Sequence, residues 1–289
     1  MRVVSFRQNG KTDWGIVSED RIRVAGDGYP ATVLQLLEQD APMDILSRLQ
    51  ADPDATSVPL NEAELLAPIP RPRKNVICLG LNYAEHARES LQTKGLAVEM
   101  PEHPVVFTKS TTTITGPYAD IPLRSQVTRE LDWEAELAVV IGRGGRDIPE
   151  AEALQHVFGY MVLNDLTARD LQRRHKQFFL GKSLDDSCPM GPWIVTADEV
   201  PDPQNLNVRC WVNGVLKQDG HTSQQIFPVA RTIALLSQIM TLEPGDIIST
   251  GTPEGVGFAR QPPEFLSAGD VVECEISGIG LISNSIVAV

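Results

Sequence analysis

Glu134, Glu136 and Asp165 are the residues best placed by type and spacing to do chemistry. Glu134 and Glu136 stand two apart in Asp132-Trp133-Glu134-Ala135-Glu136-Leu137. That segment opens the apolar run Leu137-Ala138-Val139-Val140-Ile141-Gly142, which reads as a buried strand. Side chains two apart on a strand share a face. The two glutamates therefore project together, while Trp133, Ala135 and Leu137 face the other way. Asp165 ends a second apolar run, Phe158-Gly159-Tyr160-Met161-Val162-Leu163. Three acids at strand ends that converge repel strongly unless a cation or protons offset them. Oxygen-only ligands select hard ions such as Mg2+, Mn2+ or Ca2+ rather than Zn2+. The competing reading is an acidic strand rim in water, and a Glu-x-Glu pair alone does not decide between them.

His86 and Glu89 are three apart in a segment of helical pattern, so on a helix they lie on one face and touch. A carboxylate beside an imidazole raises its basicity and fixes its tautomer, as a general base or water activator requires. The alternative is an incidental pair on a surface helix. Lys109 ends the apolar segment 105–108, and Lys182 sits in Phe179-Leu180-Gly181-Lys182-Ser183. A lysine in such a place can point into a cleft and hold a carboxylate or enolate oxygen, or it can be a solvated strand-end residue. In Thr250-Gly251-Thr252-Pro253-Glu254-Gly255-Val256-Gly257 the glycines let backbone N–H groups approach an anion, or they simply make a tight turn. This is not a phosphate-binding loop, because the Gly-Lys-Ser/Thr ending is missing. A Gly-x-Ser-x-Gly elbow is also missing, which weakens a serine hydrolase reading. His156, His175 and His221 lack carboxylate or cysteine partners at ligand spacing and read as structural or surface residues.

A framework of short strands must position these groups. Residues 1–67 read as a small N-terminal α+β domain, with strands at 3–6, 13–17 and 21–24 and helices at 32–37 and 43–49. The Pro-rich connector 67–73 marks a boundary. Residues 68–289 read as the second, larger domain. Strands are predicted there at 76–79, 105–109, 137–141, 161–164, 193–196, 208–212, 247–250, 271–276 and 286–289. Helices are predicted at 84–92, 149–156, 168–174 and 228–240. The polar stretch 90–103 reads as a loop that can act as a lid. Many short strands with few helices indicate a β-rich α+β fold with a rolled or barrel-like sheet.

The net charge of -13 argues against nucleic acid and anionic membrane as partners. It leaves room for an anionic substrate, because a local metal and a few lysines reverse the field inside a pocket. No secretion signal and no run of roughly 18 apolar residues stands out, so a cytoplasmic protein is expected. The four dispersed cysteines read as reduced structural thiols.

Taken in order, these motifs resemble the fumarylacetoacetate hydrolase family. The likeness is carried by Leu79-Gly80-Leu81-Asn82-Tyr83-x-x-His86-x-x-Glu89, Phe107-x-Lys109, Asp132-x-Glu134-x-Glu136-Leu137, Asn164-Asp165-x-x-Ala168-Arg169-Asp170, Gly181-Lys182-Ser183-x-Asp185, Pro189-Met190-Gly191-Pro192 and Thr250-Gly251-Thr252-Pro253-x-Gly255-Val256. It covers about residues 67–289, and the N-terminal unit also looks like the small domain that precedes the catalytic domain in many members. The resemblance implies a mixed β-roll, a homodimer or larger oligomer, and Mg2+ or Mn2+ held by Glu134, Glu136 and Asp165. It further implies that the metal chelates the 2-oxo-carboxylate end of a small anionic substrate. Lys182 and the turn at Gly251 and Thr252 contact that substrate. His86 and Glu89 activate water from a lid helix, and Lys109 lies near the reacting carbons.

A divalent ion on a 2-oxo acid makes an electron sink. Three reactions become accessible. The leading expectation is hydrolysis of a C–C bond in a 2,4-dioxo acid (an acylpyruvate or diketo-deoxy sugar acid), giving pyruvate and a carboxylic acid; its motive is the His86–Glu89 pair. The alternative is decarboxylation of an oxaloacetate-like acid or isomerisation of a 2-hydroxy-dienedioate at the same metal site. A non-catalytic dicarboxylate-binding protein is the third reading. Retention of all three acidic ligands weighs against it.

Overall fold

The computed structural model describes residues 1–289 apart from 94, 96 and 98. The expected lid loop at 90–103 includes these three residues, and that part of the expectation lies outside the described residues. Among the described residues, strands dominate and helices are short and few. The β-rich α+β reading therefore holds.

A large sheet forms the backbone of the molecule. At its centre lie the antiparallel strands Ala135–Ile141 and Val157–Asn164, and every residue of both is buried. Such strands are covered on both faces and read as nearly continuous apolar runs. Leu137, Val139, Ile141, Tyr160 and Val162 face one core. Against them packs a five-stranded sheet that supplies Val208, Val272, Ile276 and Ile282. Ala138, Val140, Met161 and Leu163 face the opposite core, with Leu36, Leu37, Leu46 and Leu49 from the two N-terminal helices.

The N-terminal strands join this same sheet. Arg2–Gln8 pairs antiparallel with Cys188–Thr196. The connector at 67–73 is tied down at its start, with Ala67 and Ile69 buried and the Ser5 hydroxyl donating to the Pro68 carbonyl at 2.7 Å.

Two differences from the sequence reading have clear causes. Glu150–His156 is a 3-10 helix rather than an α-helix. Its buried residues, Ala153 and His156, are three apart, and the three-residue turn of that helix stacks them on one side. The strand Val215–His221 was not expected, because Lys217, Gln218, Asp219 and Gly220 are poor strand formers. The turn Asn213-Gly214, with both φ angles positive, folds it back onto Asn207–Val212. All four cysteines are free and buried, and Cys210 faces Cys274 across neighbouring strands with 3.9 Å between the sulfurs. No described helix is long and apolar enough to cross a membrane.

Candidate active site

Glu134, Glu136 and Asp165 converge, with one carboxylate oxygen from each within 4.8 Å of the others and all three residues buried. Strand register causes this. Ala135 pairs with Asn164, and the Asp165 N–H donates to the Glu134 carbonyl at 2.9 Å. The residue just past one strand therefore lands beside the residue just before the other. The parity read from the sequence also holds, since Trp133, Ala135 and Leu137 lie in the opposite apolar core.

Three cations surround the cluster. Lys182 Nζ donates to Glu134 Oε2 and Asp165 Oδ2, both at 2.6 Å. Lys109 Nζ lies 2.8 Å from Asp165 Oδ1 and donates to the Leu166 carbonyl at 3.0 Å. That ion pair lacks hydrogen-bond geometry, so Asp165 Oδ1 is a buried oxygen without a donor. Arg169 bridges Glu134 Oε1 at 2.6 Å and Asp132 Oδ2 at 2.8 Å, with its guanidinium 4.4 Å from the Phe258 ring centroid.

Glu136 is different. Its Oε2 accepts from the Ser249 hydroxyl and from the Gly251 N–H, and no cationic side chain among the described residues pairs with it. Four buried carboxylates, counting Asp132, thus face three cations, and the excess negative charge falls at Glu136. Burial, with Asp165 and Glu134 beside it, pushes the Glu136 carboxyl well above the usual range. Burial also disfavours charge on Glu134, but Lys182 and Arg169 outweigh it and hold that carboxyl low. Burial likewise opposes the Lys182 charge, and Asp165 and Glu134 more than offset it. An unpaired carboxylate, a donorless oxygen and an all-oxygen set together fit a hard divalent cation.

The strand Val76–Gly80 runs parallel to Ile247–Ser249. Their carboxyl ends bring two loops together above the cluster. Leu81, in left-handed backbone at φ 54°, turns the chain out of the first strand. Such strain in a non-glycine residue is typical of functional sites. Asn82 Nδ2 then donates to the Thr250 carbonyl at 2.7 Å, which anchors the helix Ala84–Thr93. On that helix His86 Nδ1 meets Glu89 Oε1 at 2.9 Å. Nε2 has no partner among the described residues, and His86 lines a cleft with Glu134, Glu136, Lys182, Phe107 and Phe178. The cleft offers about 30 Å³, room for roughly one water. A larger ligand enters only when part of this lining moves.

In the 250–257 turn the Gly251 and Gly255 N–H groups and the Thr252 hydroxyl bind protein. Gly251 gives its N–H to Glu136. The Thr252 hydroxyl donates to the Ala135 carbonyl at 2.9 Å and accepts from Gln218 at 2.8 Å, although Thr252 still lines the cleft. The Gly255 N–H reaches both Glu89 oxygens, at 3.2 and 3.1 Å, so the turn latches the helix that carries His86. Gly255 sits at φ 96°, and a Cβ there would lie 2.1 Å from the Lys217 carbonyl oxygen. Gly255→Ala should therefore cost about 2 kcal/mol or more and lower the melting temperature by roughly 4–8 °C. An unchanged melting curve would show that this approach is not tight.

Residues 75–287 match the family described as fumarylacetoacetate (FAA) hydrolase C-terminal. The chain belongs to the fumarylacetoacetate hydrolase family. Residues 1–68 match the family described as Rv2993c-like, N-terminal. Oxaloacetate tautomerase YisK of Bacillus subtilis is 52% identical over 227 residues, covering 78% of this chain and 74% of that one. The mitochondrial oxaloacetate tautomerase FAHD2A of Homo sapiens is 44% identical over 260 residues, covering 89% and 80%. Among solved structures, maleylpyruvate hydrolase from Sphingobium sp. SYK-6, in complex with manganese(II) and pyruvate, superposes with a TM-score of 0.80 at 30% identity, covering 100% of this chain and 99% of that one. The mixed-sheet fold is thus that of a fumarylacetoacetate hydrolase family enzyme.

Two further residues, one inside the family motifs and one outside them, do work that the sequence did not reveal. Asp132 accepts from the N–H groups of Trp133, Gly257 and Phe258 as well as from Arg169. Its even parity with Glu134 and Glu136 was the available signal. Gln218 accepts from the Ala135 N–H at 3.0 Å and donates to Thr252 and Pro253, clamping the start of the metal-site strand to the turn. It lies on the unexpected strand, so nothing local marked it.

Proposed function

We propose that this chain is a tautomerase of a small 2-oxo dicarboxylate of the oxaloacetate type, using Mg2+ or Mn2+ held by Glu134, Glu136 and Asp165. The observation that carries this reading is a buried histidine, paired with a half-buried carboxylate, facing a buried oxygen cluster, in a chain 52% identical to an oxaloacetate tautomerase. The manganese bound to the related hydrolase supports the choice of ion.

The bound ion supplies Lewis acidity toward the 2-oxygen of such a substrate. The protein does the rest. Glu89 holds the His86 proton on Nδ1, leaving Nε2 as the base that takes a proton from C3. The proton then goes to the 2-oxygen, turning ketone into enol. Atoms balance without water or any co-reactant. Lys182 and Arg169 offset the substrate's carboxylates. Phe107, Phe178 and Phe258 keep bulk water out, which strengthens these charge interactions.

Hydrolysis of a 2,4-dioxo acid is the second reading, favoured by the same His86–Glu89 pair and by the maleylpyruvate hydrolase likeness. Chelator-stripped protein should be given oxaloacetate and acetylpyruvate separately, with and without Mn2+, while enol absorbance and products by NMR are followed. Mn2+-dependent keto–enol exchange without CO2 release is the expected result. Mn2+-dependent pyruvate plus acetate from acetylpyruvate, with no faster exchange, would move the assignment to hydrolysis.

A further inference from the structure

Lys182 is the cation shared by two of the three clustered carboxylates. Its Nζ touches both Glu134 and Asp165, whereas Lys109 pairs only with Asp165 of the trio and Arg169 only with Glu134. The ammonium is buried, 2 % exposed, and lies 4.9 Å from the Phe107 ring centroid. Water therefore screens it poorly. It draws on the same oxygens that suit a divalent ion. With Lys109 and Arg169 already present, adding a doubly charged ion turns the slight negative excess into a positive one. An anionic ligand then restores the balance.

We infer that Lys182 weakens the cluster's hold on its divalent ion until an anionic substrate binds, so that ion and substrate strengthen each other. This rests on the reading of Glu134, Glu136 and Asp165 as the ligand set. A substrate carboxylate gives the ammonium a new partner and cancels the added positive charge. By linkage the gain is reciprocal, with the substrate binding more tightly by the same factor. Chelation of the ion by a 2-oxo acid also couples the two ligands, but that contribution is the same with or without the ammonium. The charge of Lys182 therefore separates the two explanations.

Mn2+ binding to the full-length, chelator-stripped protein can be read from the free-ion signal by electron paramagnetic resonance, with and without oxalate as an unreactive stand-in. Oxalate should tighten Mn2+ binding by about tenfold or more in the native protein. Lys182→Met should bind Mn2+ alone about tenfold or more tightly than the native protein does, and the tightening by oxalate should shrink. Lys182→Gln, which keeps polarity but not charge, should behave alike and serves if the methionine variant does not fold. Variants that bind Mn2+ alone no better than the native protein would overturn the inference, as would an absence of oxalate coupling in the native protein. The ligand assignment fails separately, if Glu136→Gln leaves Mn2+ binding unchanged.

Discussion

Glu136→Gln should abolish metal-dependent turnover while making the metal-free protein more stable. Glu136 is 1 % exposed and is the clustered carboxylate without a cationic partner. An uncompensated buried charge is costly, and a neutral group of the same shape relieves that cost. The native carboxyl already sits well above its usual range because it is buried beside Asp165 and Glu134. Gln keeps an oxygen for the Ser249 and Gly251 donors, so the turn should remain in place. A gain of ~1–2 kcal/mol is expected, or roughly 2–8 °C in melting temperature. Removing an outer-shell partner of a metal ligand typically costs 10–100-fold in affinity or activity, so loss of a ligand itself should exceed about 100-fold. Calorimetric melting with and without Mn2+ checks both halves. A variant that melts earlier than the native protein would contradict the charge assignment, and one stabilised by Mn2+ as much as the native protein would contradict the ligand assignment.

His86→Gln should lower kcat by about 100- to 10,000-fold, the range for removing a positioned general base, and leave Mn2+ affinity close to native. The argument is spatial. His86 reaches the cleft through its ring, yet its hydrogen bond runs to Glu89 and not to any of the three clustered carboxylates. Gln keeps polar reach toward Glu89 without a ring nitrogen to accept a carbon-bound proton. Exchange of the C3 protons of oxaloacetate into deuterated water, followed by NMR, reads this step directly. Unchanged exchange would reassign the base, and Lys109 would become the next residue to test. A loss of Mn2+ binding equal to the loss in rate would instead mean that His86 acts through the metal site.

Much of this was legible in the sequence because it depends on short-range rules. Period-two alternation assigned Glu134 and Glu136 to one face and Trp133, Ala135 and Leu137 to the other, and the packing agrees. Spacing by three brought His86 and Glu89 together. Unbroken apolar runs marked the two central strands, since a strand covered on both faces has no polar side.

Other features follow only from pairing between distant segments. Register across Ala135–Ile141 and Val157–Asn164 places Asp165 beside Glu134. The parallel pairing of Val76–Gly80 with Ile247–Ser249 carries the Asn82 and Gly251 turns to the same place. Gly251 looked like an anion-binding donor. Its N–H instead positions Glu136, because the nearest buried acceptor takes it. Gln218 and Asp132 gained their roles in the same way, by satisfying backbone N–H groups that burial had removed from water. Residue types and local spacing thus determined which groups could do chemistry. The tertiary structure decided which of them meet and which carboxylate is left without a partner, because hydrogen-bond and charge balance in a buried site is settled by all the segments that close around it.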